Sequence, residues 1–187
     1  MTSRRSLCLA ASACALPLSV SAPAWANPLP GGPGLALQNP QTVGRARLKV
    51  WGFEVYDATL RADAGFSATA FERHRFALEL AYLRSFKGSD IARRSIDEMR
   101  AIEPLTAEQA TRWQQAMTQL FPDVQKGDRI TGVHLPGEAA RFFLNDRLLS
   151  DVNDPDFSRR FFGIWLSPQT SQPRMREQLL GLNARPS

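Results

Sequence analysis

The residues with the most chemical potential lie close together: Arg45, Arg47, Tyr56, Asp57 and Thr59. If they shared one concave surface, an arginine fork would hold a carboxylate or phenolate and a tyrosine hydroxyl would orient it. The bland reading of the same five residues is an ordinary wet strand face. Other chemistries find little support. His74 and His134 are the two histidines, without H-E-x-x-H or C-x-x-C-H spacing, so no metal or haem site is expected. There is no G-x-S-x-G elbow, Walker loop or G-x-G-x-x-G; Gly31-Gly32-Pro33-Gly34 follows no strand. No cofactor is expected.

The stretch carrying those residues, Val43 to Ala62, reads as a hairpin. Ala46, Leu48 and Val50 alternate with Arg45, Arg47 and Lys49, the period of two of a half-buried strand. Gly52 marks a tight turn, after which Tyr56, Ala58 and Leu60 alternate with Asp57, Thr59 and Arg61. Phe53 and Val55 fall out of phase, which means a bulge or a strand covered on both faces. A connection with room for one helical turn leads to a third strand, in which Phe76, Leu78, Leu80 and Tyr82 alternate with Ala77, Glu79 and Ala81.

Two helices follow. Ser89 is placed to cap a first one carrying Ile91, Ser95, Met99 and Ile102, which stops before Pro104. Thr106-Ala107-Glu108-Gln109 is a capping box for a second, with Ala110, Trp113, Met117 and Leu120 as its stripe. That stripe suits core packing, and a pocket wall is the alternative. Asp128 to Leu135 and Ala140 to Leu144 form another hairpin around Pro136-Gly137, and Asn145-Asp146 turns the chain into Leu148-Leu149. Asp154-Pro155 caps an apolar helix bearing Phe157, Phe161, Ile164 and Trp165, and a last short helix runs from about Pro173 to Leu180 with Gly181 as its stop. Strands and helices are thus segregated, which predicts the α+β class, an antiparallel sheet covered by helices.

Residues 1–26 read as a secretory signal: Arg4 and Arg5, an apolar run from Leu7 to Val20, and an Ala24-Trp25-Ala26 cleavage site. The expected location is therefore the periplasm or the exterior. Ser3-Arg4-Arg5-Ser6-Leu7 also fits a twin-arginine signal, so the route stays open, as does acylation at Cys14. Both cysteines, Cys8 and Cys14, lie in this segment, leaving no disulfide or thiol chemistry beyond it. Residues 27–41, rich in Pro and Gly, read as a flexible arm with Leu35 and Leu37 as anchors, and 42–183 as one domain. Nothing after the signal is apolar enough to span a membrane.

The net charge falls from +5 to +3 once Arg4 and Arg5 are set aside. Arg93-Arg94 and Arg159-Arg160 lie in helical stretches, as solvated faces or as contacts for an acidic partner. No aromatic residues interleave them as a nucleic-acid platform needs, so no nucleic-acid partner is expected.

Several segments, in order, resemble the bacterial chalcone isomerase-like family. These are Val43 to Ala62; Phe86-Lys87-Gly88-Ser89-Asp90-Ile91 with Ser95-Ile96-Asp97-Glu98-Met99; Phe121-Pro122-Asp123-Val124 with Gly127-Asp128; and Asp154-Pro155-Asp156-Phe157 with Phe161-Phe162-Gly163-Ile164-Trp165-Leu166. The resemblance implies an open-faced β-sandwich, with helices on one side of a large antiparallel sheet and a ligand cleft between. It also implies that Arg45, with Arg47 beside it, corresponds to the substrate-binding arginine, and that Tyr56 stands near the position of a threonine. The family's catalytic tyrosine and asparagine align at Ile91 and Glu98. With those partners replaced, ring closure of a chalcone is not expected. Non-catalytic relatives resemble fatty-acid binders that grip a carboxylate with an arginine and a tyrosine above an apolar cavity. The implied binding residues are Arg45, Arg47, Tyr56 and Glu98, and the implied walls are Phe76, Leu80, Ile91, Trp113 and Met117. The expectation is an exported binder of a small apolar or carboxylate ligand. An isomerase or lyase of unknown substrate and an envelope interaction protein are the alternatives; the oligomeric state stays open.

Overall fold

The computed structural model describes residues 37–182. The signal expected over residues 1–26 and most of the expected arm lie outside them. The end of the arm is anchored, for Leu37 is buried and the Gln38 and Asn39 N–H groups donate to the Asp63 carboxylate at 3.1 and 2.8 Å.

The alternating runs form six antiparallel strands, β1 (Gln41–Val50), β2 (Phe53–Ala62), β3 (Phe76–Tyr82), β4 (Arg129–Leu135), β5 (Ala139–Leu144) and β6 (Arg147–Val152), hydrogen-bonded in chain order. The sixth is the strand that the sequence offered only as a turn into Leu148-Leu149. Asn145 and Asp146 make that turn at φ 48° and 69°, the left-handed values a two-residue hairpin loop requires. In the first hairpin Leu48 pairs with Tyr56 but Lys49 with Glu54, so Val55 is the extra residue of a bulge. The bulge explains why Phe53 and Val55 ran out of phase.

Register carries the apolar alternation across the sheet. Ala46, Ala58, Leu80, Ile130 and Leu144 form one row, and Leu60, Leu78, Gly132 and Phe142 another. These rows face helices α1 (Gly88–Ile102), α2 (Ala107–Leu120), α3 (Pro155–Leu166) and α4 (Pro173–Leu179). Packed against β4 and β5, α3 contributes Phe161 edge-on to Phe142 at 5.2 Å and Phe162 edge-on to Phe76 at 5.0 Å. Each such ring, fully buried, stabilises the fold by about 1.5–3 kcal/mol. The arrangement is the expected α+β open-faced sandwich.

The caps agree with the sequence at two helices and depart from it at a third. Thr106 and Gln109 form the reciprocal capping box of α2. Asp154 caps α3 through Oδ1 to the N–H groups of Asp156 and Phe157, while its Oδ2 accepts from Trp113 Nε1 at 2.8 Å. Ser89 does not cap α1; that helix starts one residue earlier, and Asp123 reaches over to accept from the Gly88 N–H at 2.9 Å. Two glycines permit close approach of backbones. A Cβ on Gly88 would stand 1.9 Å from the Phe121 carbonyl oxygen, and one on Gly44 would stand 2.2 Å from that of Gln178 in α4.

The fold corrects part of the expected site. Arg45 and Arg47 project from β1 on the face opposite the helices and are exposed, because Ala46 and Leu48 occupy the helix-facing positions. Phe76, Trp113 and Met117 are packed core, not the walls of an open space, and the Trp113 ring stands edge-on to Phe157 at 5.7 Å. Leu80 is likewise buried in the sheet, whereas Ile91 is half-buried at the helix margin.

Candidate functional site

Two residues of the expected binding set, Tyr56 and Glu98, face inward and lie near each other beneath the helices. Tyr56, on the helix side in phase with Ala58 and Leu60, pairs in register with Tyr82 of β3. Their rings stand edge to face, 6.0 Å apart. Trp165, in the last turn of α3, donates its indole N–H to the Tyr56 hydroxyl at 2.9 Å. Glu98 comes from the buried side of α1 and is 9% exposed.

Glu98 is held on both oxygens. Arg94, one turn earlier on α1, donates to Oε1, and the Ser171 hydroxyl donates to Oε2 at 2.8 Å. A buried carboxylate is tolerated when its charge is matched and its oxygens are hydrogen-bonded, and here both conditions hold.

The phenols are set differently. The Tyr56 oxygen accepts from Trp165, which leaves its own proton without an acceptor among the described residues. Tyr82 is 4% exposed, and its hydroxyl makes no hydrogen bond to any described residue. Burial pushes the Tyr56 pKa up to about 12; the Trp165 bond opposes the rise and the charge of Glu98 adds to it. Burial, and secondarily Tyr56, pushes the Tyr82 phenol up as well. Both groups are therefore protonated donors at neutral pH. Half-buried Leu48, Phe86 and Ile91 pack at the margin of the same core. Two O–H donors beside an apolar margin suit an acceptor oxygen on an otherwise apolar molecule.

The exposed arginines have other surroundings. Arg47 grips Asp57 with two nitrogens at 2.6 and 2.8 Å and Glu54 with a third at 2.8 Å, and these bonds raise its pKa further. Its fork is already occupied. Arg45 lines an open groove of about 690 Å³ between the first hairpin and α4, with Thr59, Glu177 and Gln178 also on its walls. A second hollow of about 490 Å³ lies between the end of α1, α3 and the 3-10 turn Phe71–Arg73. Its cations Arg159 and Arg160 are both matched by Glu103 and Asp156. Among the described residues no cluster of His, Cys, Asp and Glu could hold a metal.

Of the expected binding residues, then, the structure brings Tyr56 and Glu98 together and leaves Arg45 and Arg47 outside that cluster, on the open groove beside α4. Sequence reasoning missed Tyr82, Trp165, Arg94 and Ser171 as members of this cluster. Tyr82 was legible in principle, since it ends the alternating run that begins at Phe76. Ser171 and Trp165 arrive from 73 and 109 residues away from their partners, and no local spacing announces such contacts.

Comparison with known proteins agrees with this architecture. An uncharacterised protein of Haemophilus influenzae is 32% identical over 143 residues, covering 75% of this chain and 68% of that protein. The crystal structure of a fatty-acid binding protein of Arabidopsis thaliana superposes with a TM-score of 0.61 at 13% identity, over 81% of this chain and 90% of that one, a likeness of fold. The pattern of the chalcone isomerase-like family matches residues 41–181. With that match spanning most of its length, the chain belongs to the chalcone isomerase-like family.

Proposed function

We propose that this protein is exported and binds, without transforming it, a small apolar molecule bearing an acceptor oxygen, a fatty-acid-like carboxylic acid foremost. The observation that carries the reading is the pair of neighbouring phenols, half-buried Tyr56 and buried Tyr82, whose protons no described group accepts. The ligand's oxygen takes both hydrogen bonds, and its tail lies along Leu48, Phe86 and Ile91. Arg94 keeps the neighbouring Glu98 neutralised, so an anionic head group meets no bare negative charge. The Arabidopsis protein of the same fold, itself a fatty-acid binding protein, supports the ligand class. Binding without turnover rests on the family's catalytic tyrosine and asparagine positions, which align here with Ile91 and Glu98. Export rests on the basic, apolar and Ala-Trp-Ala pattern of residues 4–26.

Dodecanoic acid titrated into the purified protein by calorimetry tests the reading. Hydrogen bonds to a charged group are worth about 1.5–3 kcal/mol each, so Tyr56→Phe with Tyr82→Phe is expected to weaken binding about 100-fold or more. Arg45→Ala is expected to leave it unchanged. Undiminished binding in the double variant, or loss on Arg45→Ala alone, overturns the assignment of the site. Mass determination of the protein recovered from the periplasm tests export, the expected product beginning at Asn27.

A further inference from the structure

The tip of the first hairpin is the most exposed apolar feature of the described chain. Trp51 is 95% exposed, Phe53 59% and Val50 42%, so three of the large exposed hydrophobic side chains sit within four residues. The turn itself holds Trp51 at φ 50° and Gly52 at φ 82°. A left-handed conformation is unfavourable for a bulky residue and suits Asn or Gly. The sequence nevertheless spends that position on an indole that packs against almost nothing. Because the tip projects, it offers no groove for a peptide or a small molecule to enter. Cations surround its base. The Arg84 guanidinium lies over the Phe53 ring at 4.8 Å and pairs with no carboxylate among the described residues. Arg47 and Lys49 stand just behind, sharing Glu54.

We propose that this hairpin tip docks the protein on an anionic lipid surface. Trp51 and Phe53 enter the headgroup layer, where aromatic side chains are favoured. Arg84 and Lys49 meet the lipid phosphates. The proposal does not depend on the ligand site, which faces the helices, and it requires no membrane-spanning helix; none of the described helices is long and apolar enough to cross a membrane.

Flotation of the purified protein with vesicles tests it, using pure phosphatidylcholine and a 7:3 mixture of phosphatidylcholine with phosphatidylglycerol (proportions of the order used to probe anionic surfaces). The wild type is expected to float with the anionic vesicles, to bind the neutral ones at least about tenfold more weakly, and to be released at about 0.5 M salt. Trp51→Ala with Phe53→Ser is expected to lower binding to the anionic vesicles about tenfold or more, and Arg84→Gln to lower it and flatten its salt dependence. Bromine on the lipid acyl chains should quench a component of tryptophan emission that is absent in Trp51→Ala. Failure of the wild type to float, binding unaltered in the double variant, or dimerisation of the wild type that Trp51→Ala abolishes would each overturn the proposal. The circular dichroism of each variant verifies that it is folded, which is expected because these side chains lie outside the core.

Discussion

At the Tyr56 hydroxyl, stability and binding can be separated, because its oxygen serves the protein while its proton does not. Tyr56→Phe keeps the ring against Tyr82 but strips the acceptor from the Trp165 indole N–H, which stays buried. A buried donor left unpaired costs about 1–3 kcal/mol. Thermal unfolding should therefore register a loss of roughly 2–4 °C per kcal/mol for a chain of this size. Tyr82→Phe removes a hydroxyl that bonds to no described residue, so its stability should stay within about 0.5 kcal/mol of the wild type. If Tyr82→Phe were as destabilising as Tyr56→Phe, the phenol would be structural and not free for a ligand. The arginines teach the complementary lesson. Their alternation with Ala46, Leu48 and Val50 already placed Arg45 and Arg47 on the solvated face. The family resemblance pointed them inward. A period of two leaves no such choice: with Ala46 packed in the core, its neighbours on either side must face away. What spacing left open was the bulge, which at Val55 breaks the phase between Phe53 and Tyr56.

At the scale of elements, the start of α1 depends on a contact the sequence did not reveal. Gly88→Ala places a methyl group 1.9 Å from the Phe121 carbonyl oxygen, a clash relieved only by moving α1 away from the segment that follows α2. The expected loss is about 3 kcal/mol or more by denaturant unfolding. Asp123→Ala removes the cap on the Gly88 N–H and should cost about 1 kcal/mol, the usual value of a lost N-cap, whereas Ser89→Ala should cost little. Equal effects of the Asp123 and Ser89 changes would contradict the observed cap. Most elements were legible because their signals are local: the Thr106-to-Gln109 box, Asp154 before Pro155, and the period-two runs. Two features were not. The cap of α1 comes from a residue 35 positions away, and β6 lacks a clean alternation because its register with β5 slips between Phe142 and Phe143. A slipped register mixes the faces, and the pattern Leu148-Leu149 then looks like a turn exit instead of a strand.

The molecule as a whole should have a pH window of stability set by groups buried in their neutral forms. His134 lies between the sheet and α3, stacked on Phe76 at 5.0 Å; its Nε2 meets the Glu72 carbonyl at 3.0 Å and its Nδ1 the Ser158 hydroxyl at 2.7 Å. A carbonyl can only accept, so Nε2 carries a proton, while the Ser158 hydroxyl donates to the Ala139 carbonyl at 2.9 Å and sits beside Nδ1. Burial holds the His134 pKa below its ordinary 6.5, with the Glu72 carbonyl opposing. Unfolding therefore takes up a proton below that value, so the stability from neutral His134 is present above about pH 6.5 and declines as pH falls below it. At the other end, burial raises Tyr56 from 10 to about 12, and unfolding releases a proton between those values. That contribution is present below pH 10 and is lost as pH rises toward 12. Melting temperatures should thus form a plateau between about pH 6.5 and 10, falling on both sides. In His134→Gln, which replaces the imidazole with a neutral amide, the overall stability should be lower but the decline below about pH 6.5 should flatten. Asp154 gives a later acid step: burial works against its ionised form, but the bonds from the Phe157 N–H, Trp113 and Arg112 win and hold its pKa below 3.8, so it matters only as pH falls under that value. A decline below pH 6.5 that is as steep in His134→Gln as in the wild type would show that some other group governs the acid limb.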